Sequence, residues 1–492
     1  MSFERMKPFW MGATVFGVLF AVLLSIRLNP IQSSPSISPL PEFKKSAALP
    51  ERDVWMNVFQ NGRKIGFSHS IMTRISDGYE LQETVQLKIN TMGMVQELAL
   101  NTKGTLLKDL SLSSFEFRMN SGRFQFKASG IAKDRVLSVQ TESGGGIQKL
   151  DLELENRIYL PAGMVHSMSA LNLKPNEVTS FAIFDPVSMG QETVDVQMLG
   201  KDKIRIMGQF HTAKKISFTF KGNSQLAWIG EKGEILKESG LLGIEMVRTT
   251  RADALYGLPV ESSQDLTKVA SVESNRIIKD PNRLNRLTVR IEGIDQEGFS
   301  LDGFRQTFEN NTLTVIKESL PGFEGMQTTP ETVSDEYLSP TPLIQSDHPT
   351  IQRLAKRITA SARTPLEKIE HLVDWVYTKI KKRPVLSVPD ALSTLKNRMG
   401  DCNEHSVLLA ALARAVGIPA TVEAGLVYLT DRFYYHAWNM VYIGKWISVD
   451  ALLGQIPADV THLRFTSAST HLPMDLIGLI GKVKIRIMEM DG

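Results

Sequence analysis

The sequence predicts an α+β protein: a C-terminal α+β core preceded by a large antiparallel β-sheet domain, with an N-terminal transmembrane helix. Three observations carry that expectation. An uncharged apolar run stands near the N-terminus, a long stretch of alternating apolar and polar residues follows it, and beyond about residue 344 the hydrophobic period lengthens to that of helices. Composition agrees. Of 492 residues, 42% are hydrophobic and 22% charged, which fits a globular protein and excludes wholesale disorder, a collagen-like repeat and a polytopic membrane protein. Fifty-six Lys and Arg against 53 Asp and Glu leave a net charge of +3. So slight an excess gives no electrostatic footprint for nucleic acid, and no nucleic-acid partner is expected.

The first element is the run from Phe9 to Ile26, 18 residues without a charge, preceded by Arg5 and Lys7 and followed by Arg27. As a helix it spans about 27 Å, close to the roughly 30 Å hydrocarbon core. No small-x-small cleavage site closes it, and it is longer than the apolar stretch of a signal peptide. It therefore reads as an uncleaved anchor over residues 1–28, a cleaved leader being the alternative. The basic residues before it favour a cytoplasmic N-terminus, a single pass through the inner (cytoplasmic) membrane and a periplasmic or extracellular bulk. Residues 29–50, with Pro30, Pro35, Pro39, Pro41 and Pro50, read as an extended linker.

Residues 51–260 are strand-like. Short alternating runs such as Tyr79 to Ile89, Leu112 to Met119, Gly122 to Ser129 and Ile204 to Phe210 are separated by the turn signals Asn61-Gly62, Asp77-Gly78 and Asn120-Ser121-Gly122. The triple glycine Gly144-Gly145-Gly146 lacks the Lys-Ser/Thr and the helix of a phosphate loop and reads as a hairpin turn. Trp228 to Leu236 reads as two strands around a tight turn. Between 261 and 343, Leu287 to Ile291 and Thr312 to Ile316 offer further strands before a Thr/Pro/Ser-rich boundary at Gln327 to Pro342.

Residues 344–492 form the last domain. Ile351, Leu354 and Ile358, then Ile369, Leu372, Val373, Val376 and Ile380, recur at helical spacing. The basic run Lys379, Lys381, Lys382, Arg383 closes the second helix as a solvated end, where cations suit the dipole. A third helix follows Gly400-Asp401-Cys402. Gly400 or Asp401 can cap its start, Ala and Leu fill its body, and Gly417 with Pro419 supplies its stop. Cys402, the single cysteine of the chain, falls in the first turn, where unpaired amides and the positive end of the dipole favour a thiolate and can cradle an oxyanion. Asp401 opposes this unless it turns away to cap. A lone cysteine also excludes intramolecular disulfides and all-Cys metal sites.

Strands are expected at Thr421 to Leu429, Tyr435 to Tyr442 and Lys445 to Asp450. If the last two join through a three-residue turn Tyr442-Ile443-Gly444, Val441 pairs with Lys445 and His436 lies opposite Asp450. Asp450 then holds one nitrogen of His436 while the other faces Cys402. A two-residue loop would put them on opposite faces. His405, three residues from Cys402, has no candidate orienting acid and reads as helix packing or solvent-facing.

Gly400-Asp401-Cys402 with its Ala/Leu helix and Gly417-Ile418-Pro419-Ala420, then His436-Ala437-Trp438, then Trp446-Ile447-Ser448-Val449-Asp450, resembles the transglutaminase-like superfamily of Cys-His-Asp thiol enzymes, over roughly residues 345–465 and including Thr461-His462-Leu463. The resemblance implies a papain-like, transglutaminase-like α+β core with Cys402 as nucleophile, His436 as general base and acid, and Asp450 as orienting carboxylate. Members also use an upstream side chain near the oxyanion. Trp375 or Tyr377 is available for that, although both sit at core spacing on a helix. Trp438 and Trp446 either wall a cleft or pack the hairpin. Nothing matches the acidic calcium loop of the animal enzymes, so neither metal nor cofactor is expected.

The implied activity is attack on an amide carbonyl of a protein or peptide substrate, such as one in the cell envelope, through a Cys402 thioester. Hydrolysis, as by a peptidase or amidase, is favoured slightly over transfer to an amine. The alternative is a non-catalytic scaffold binding an envelope protein or polymer. Neither reading fixes an oligomeric state.

Overall fold

The computed structural model describes residues 49–144, 146–164, 174–186, 189–220, 223–257, 264–294, 299–320, 333–468, 476 and 479–492. The expected membrane helix at 9–26 lies outside them; among the described residues no helix is long and apolar enough to cross a membrane. The chain is mostly β-sheet and divides into two compact units, one taking in most of residues 49–266 and the other residues 267–492.

The first unit is a 15-stranded sheet. Its strands run from β1 (Arg52–Gln60) and β2 (Arg63–Ile75) out to β8 (Gly146–Glu153) at one edge. They return from β9 (Ile158–Tyr159) at the other edge to β15 (Ile244–Thr249), which pairs with β1 mid-sheet. Most sequence-adjacent strands pair antiparallel, and tight turns join several of them. Asn61 and Gly62, at φ 47° and 78°, make the turn after β1, the left-handed pair that suits a two-residue hairpin. Gly233 at φ 75° closes the expected turn between β13 (Asn223–Gly230) and β14 (Ile235–Ser239). One expectation fails here. Ile204 to Phe210 is not a single strand, because Met207 and Gly208, at φ 49° and 81°, turn the chain between β11 (Gly190–Ile206) and β12 (Gln209–Phe220). Alternation passes unbroken through a two-residue turn, so periodicity alone does not reveal it.

The second unit holds the candidate site. β16 (Val272–Glu273) lies at the edge of a sheet continued by β23, β22 and β25, described below. β17 (Arg286–Glu292), β18 (Gln306–Glu309) and β19 (Thr312–Ile316) form a second sheet in the order β18-β19-β17, joined along β17 by the C-terminal strand β26 (Lys484–Asp491). Helices α1 (Pro349–Ile358), α2 (Pro365–Lys379) and α3 (Ala391–Asn397) then surround the central helix α4 (Cys402–Ala415). Between α2 and α4, β20 (Lys381–Lys382) pairs in parallel with β21 (Met399–Gly400).

Behind α4 stand β22 (Ala420–Leu429), β23 (Arg432–Tyr442), β24 (Trp446–Val449) and β25 (Leu463–Ala468). The helix is apolar nearly all round, and its Val407 to Ala413 segment is fully buried, as expected of a helix enclosed by others and a sheet. Its one late cation, Arg414, is also buried and donates to the carbonyls of Ala420 and Ser339. That tethers the turn in which Gly417, at φ 78°, ends the helix.

Candidate active site

Asp401 caps α4 in a reciprocal box: its carboxylate accepts from the Asn403 amide at 3.0 Å while Glu404 accepts from the Asp401 amide at 2.9 Å. This fixes Cys402 as the first helical residue. The Asn439 amide on β23 donates to the carbonyls of Ser406 and Thr421, bolting the first turn of α4 to the strand that carries His436. The result brings Cys402 beside that strand, and the backbone N–H of Ala437 donates to the Cys402 sulfur.

The hairpin register differs from the expected one. Tyr442 pairs with Trp446 and Asn439 with Val449, so the three-residue turn is Ile443-Gly444-Lys445 rather than Tyr442-Ile443-Gly444, and His436 is not directly opposite Asp450. The slip is two residues, an even number, so both side chains keep the same face. Asp450 turns off the end of β24 toward β25, and His436 Nε2 meets its Oδ2 at 2.6 Å. The Leu452 and Leu453 amides hold the other oxygen, Oδ1, at 2.7 and 2.9 Å.

A second imidazole shares that carboxylate. His462 Nε2 lies 3.0 Å from the same Oδ2, and its Nδ1 faces Asp459, 3.1 Å from the carbonyl and 3.3 Å from Oδ1. Asp459 is held by the Thr461 amide and hydroxyl, and its backbone carbonyl is gripped by Arg305. Sequence reasoning noted His462 only as part of a recurrent Thr-His-Leu and gave it no role. The Asp459-x-x-His462 spacing was the available signal, visible only once Asp450 was known to lie alongside.

The ligand atoms of His436, Asp450 and His462 lie within 4.8 Å of one another, close enough to suggest a cation. The 2.6 Å separation is that of a charge-assisted hydrogen bond; ligands at about 2.0–2.2 Å in tetrahedral array keep roughly 3.3 Å between them. The trio is hydrogen-bonded.

The electrostatics follow from burial. Burial opposes ionisation of Asp450, but the charges and hydrogen bonds of His436 and His462 outweigh it and hold the carboxyl well below the usual range. Burial likewise works against a charged His462, and Asp459 and Asp450 overcome it, pushing the imidazole up to about 9. His405, with Nδ1 on the Asp401 carbonyl at 2.6 Å, is pushed down to about 4 by burial. It packs inside the helix start as a neutral ring. For Cys402 the expected lowering by the helix dipole is reversed. Burial, then Asp401, Glu404 and Asp450, push the thiol up. Asp401 itself is raised by burial and by Glu404.

Around the trio, Trp438 lies parallel to His436 and edge-on to His462, walling the site. Trp446 does not; it packs among Phe304, Tyr337 and Tyr442. Trp375 lies under Arg398, and Tyr377 under the ammonium of Lys382, 3.4 Å from the ring centroid. Lys382 is not a solvated helix end. Burial pushes its amine down to about 8 while Asp450 pulls the other way, which places it on the site's flank.

What this arrangement defines is a thiol on a helix N-terminus with an imidazole and carboxylate presented by the adjoining hairpin. Residues 352–451, which contain all three, match the family model described as the transglutaminase-like superfamily; that segment is a transglutaminase-like domain. Among solved structures the chain is similar to a candidate cysteine protease from Cytophaga hutchinsonii, at 19% identity over 42% of this chain and 86% of that one, with a TM-score of 0.26. It is also similar to a candidate protease from Parabacteroides distasonis, at 12% identity over 58% and 69%, TM-score 0.20. A β-barrel-like protein of a domain of unknown function from Brucella abortus matches at 8% identity over 41% and 96%, TM-score 0.33. No curated protein matches the sequence.

Proposed function

We propose that the protein is a thiol enzyme that cleaves amide bonds in a protein or peptide of the cell envelope. Cys402 is the nucleophile, His436 its base and then acid, and Asp450 the carboxylate that sets the imidazole. The observation that carries this reading is the state of His436. Its Nε2 is fixed on Asp450, while its Nδ1 is buried and has no hydrogen-bond partner, and the next residue along the strand donates its amide to the Cys402 sulfur. A buried imidazole nitrogen left unpartnered costs free energy, which is tolerable where that nitrogen has a proton to accept.

In this mechanism the Cys402 proton passes to His436 Nδ1 as sulfur attacks the carbonyl carbon. The C–N bond then breaks, the amine leaves with the proton from Nδ1, and a thioester remains. Water, deprotonated by the same nitrogen, attacks the thioester carbon; the C–S bond breaks, the acid leaves, and Nδ1 returns the proton to the Cys402 sulfur, whereas an amine in place of water would give acyl transfer. Hydrolysis is the favoured outcome. The uncharged apolar run at 9–26, with Arg5 and Lys7 before it, supports a location on the outer side of the inner membrane. Turnover of a fluorogenic peptide-amide library by the full-length protein tests this reading, with Cys402→Ala and His436→Ala expected to abolish it.

One observation favours a scaffold instead. Cys402 is only 2% exposed and His436 likewise, so neither reacting group is open to a substrate in this conformation. A Cys402→Ala chain that restores every cellular function would establish the scaffold.

A further inference from the structure

Among the described residues, His462 is a buried ionisable group in direct contact with Asp450 that the proposed mechanism leaves unused. It is fully enclosed, and both ring nitrogens point at acceptors: Nε2 at Asp450 Oδ2, Nδ1 at the carbonyl and carboxylate of Asp459. An imidazole whose two nitrogens both face acceptors must carry a proton on each. We propose that His462 is a positioning residue of the thiol site: a buried imidazolium, clamped between Asp450 and Asp459, that fixes the carboxylate against His436 and opposes the resting thiolate–imidazolium pair of Cys402 and His436. The inference rests on the thiol-enzyme reading and deepens it.

The geometry gives two effects. Asp450 Oδ2 accepts from both imidazoles and Oδ1 from two amides, so the carboxylate has no freedom to rotate and His436 is held with its hydrogen on Nε2 and its lone pair on Nδ1. The second effect is charge. The His462 ring lies 5.6 Å from that of His436, so its positive charge disfavours another on His436 and offsets part of the pull of Asp450.

Other charged or titratable groups come to the site from neighbouring elements. Lys382 on β20 adds a positive field. His405 and the buried carboxyls of Asp401 and Glu404 lie on α4 and its cap, and Arg305 grips the loop bearing Asp459. The consequence is a resting site with a neutral thiol, in which proton transfer awaits the substrate carbonyl.

Because Cys402 is the single cysteine, iodoacetamide reports on this site alone. Alkylation of the full-length protein would be followed from about pH 5 to about pH 9 in wild type, His462→Gln, His436→Ala and the double variant. Removing the cation at that distance should favour the ion pair, raising the rate near neutral pH by roughly 10- to 100-fold, and His436→Ala should erase the rise. An unchanged or slower His462→Gln, in a protein where His436→Ala alone alters the profile, overturns the role of His462. If His436→Ala alters nothing in either background, the thiol-site reading itself fails.

Should His462→Gln not fold, nitrogen-15 spectra of histidine-labelled wild type decide the matter. At neutral pH His462 should show two protonated ring nitrogens and His436 one. A His462 that titrates near the ordinary value of about 6.5 overturns the proposal.

Discussion

His436 and Asp450 meet at 2.6 Å although they are not partners in the strand ladder. The contact is made by a chain that has left β24, its carboxylate pinned by the amides of Leu452 and Leu453. Asp450→Asn should therefore keep the fold but lose the acceptor that sets the imidazole tautomer. A roughly 10³- to 10⁴-fold fall in kcat is expected. Turnover within threefold of wild type, in a variant with an unchanged circular-dichroism spectrum, would remove Asp450 from the site.

Stability should fall on both sides of neutrality, for separable reasons. His462 is raised from 6.5 to about 9, so its contribution is complete below pH 6.5 and is lost as pH rises through 9. At about 1.4 kcal/mol per pKa unit that contribution is roughly 3 kcal/mol, shared with the carboxylates it pairs. His405 runs the other way. Held at about 4 as a buried neutral ring, it destabilises the fold as pH falls from 6.5 toward 4. Asp450 and Asp459, both depressed, add their loss below the ordinary carboxylate range. Urea midpoints against pH check this, and His462→Gln should flatten the alkaline limb.

Gly425 lies across the ladder from His436, and a Cβ there would sit 1.9 Å from the Leu463 carbonyl oxygen. Gly425→Ala must push β25 away, and with it His462 one residue earlier. About 1–3 kcal/mol of destabilisation together with loss of turnover is expected. At Gly417 a Cβ meets nothing, though φ is 78°, so Gly417→Ala should cost about 1–2 kcal/mol and leave kcat intact. Equal kcat in the two variants would contradict the placement of His462.

Glu404 is both half of the α4 capping box and a buried neighbour of Asp401. Glu404→Gln keeps the hydrogen-bonding half and should alter thermal stability by under about 1 kcal/mol, whereas Glu404→Ala should lose about 0.5–2 kcal/mol and leave Ser387 Oγ without its acceptor. Chemical denaturation distinguishes the two.

The hydrophobic periods made the β-rich first unit and the helices around Cys402 legible, because period two and period 3.6 reflect which faces are buried. The cap at Asp401 was legible too. What the sequence left open was geometry beyond one element. The hairpin register depended on a turn whose Gly444 suits either of two loop placements, and only the parity of the slip preserved the meeting of His436 and Asp450. His462 stood within Thr461-His462-Leu463, but its role depends on Asp450 and Asp459 being brought to it by the fold. The Cys402 environment was legible in part: the dipole and the opposing Asp401 were visible locally, while the burial that raises the thiol most comes from packing.

The most direct test of the thiol-enzyme reading is acylation of Cys402. The full-length protein would be mixed with p-nitrophenyl acetate at neutral pH and followed by nitrophenolate release and intact mass. The account predicts a burst of one equivalent and an acetyl group on Cys402, with the rate at least about 100-fold lower in His436→Ala. Acetylation at the same rate in both proteins, or none on Cys402, would contradict it.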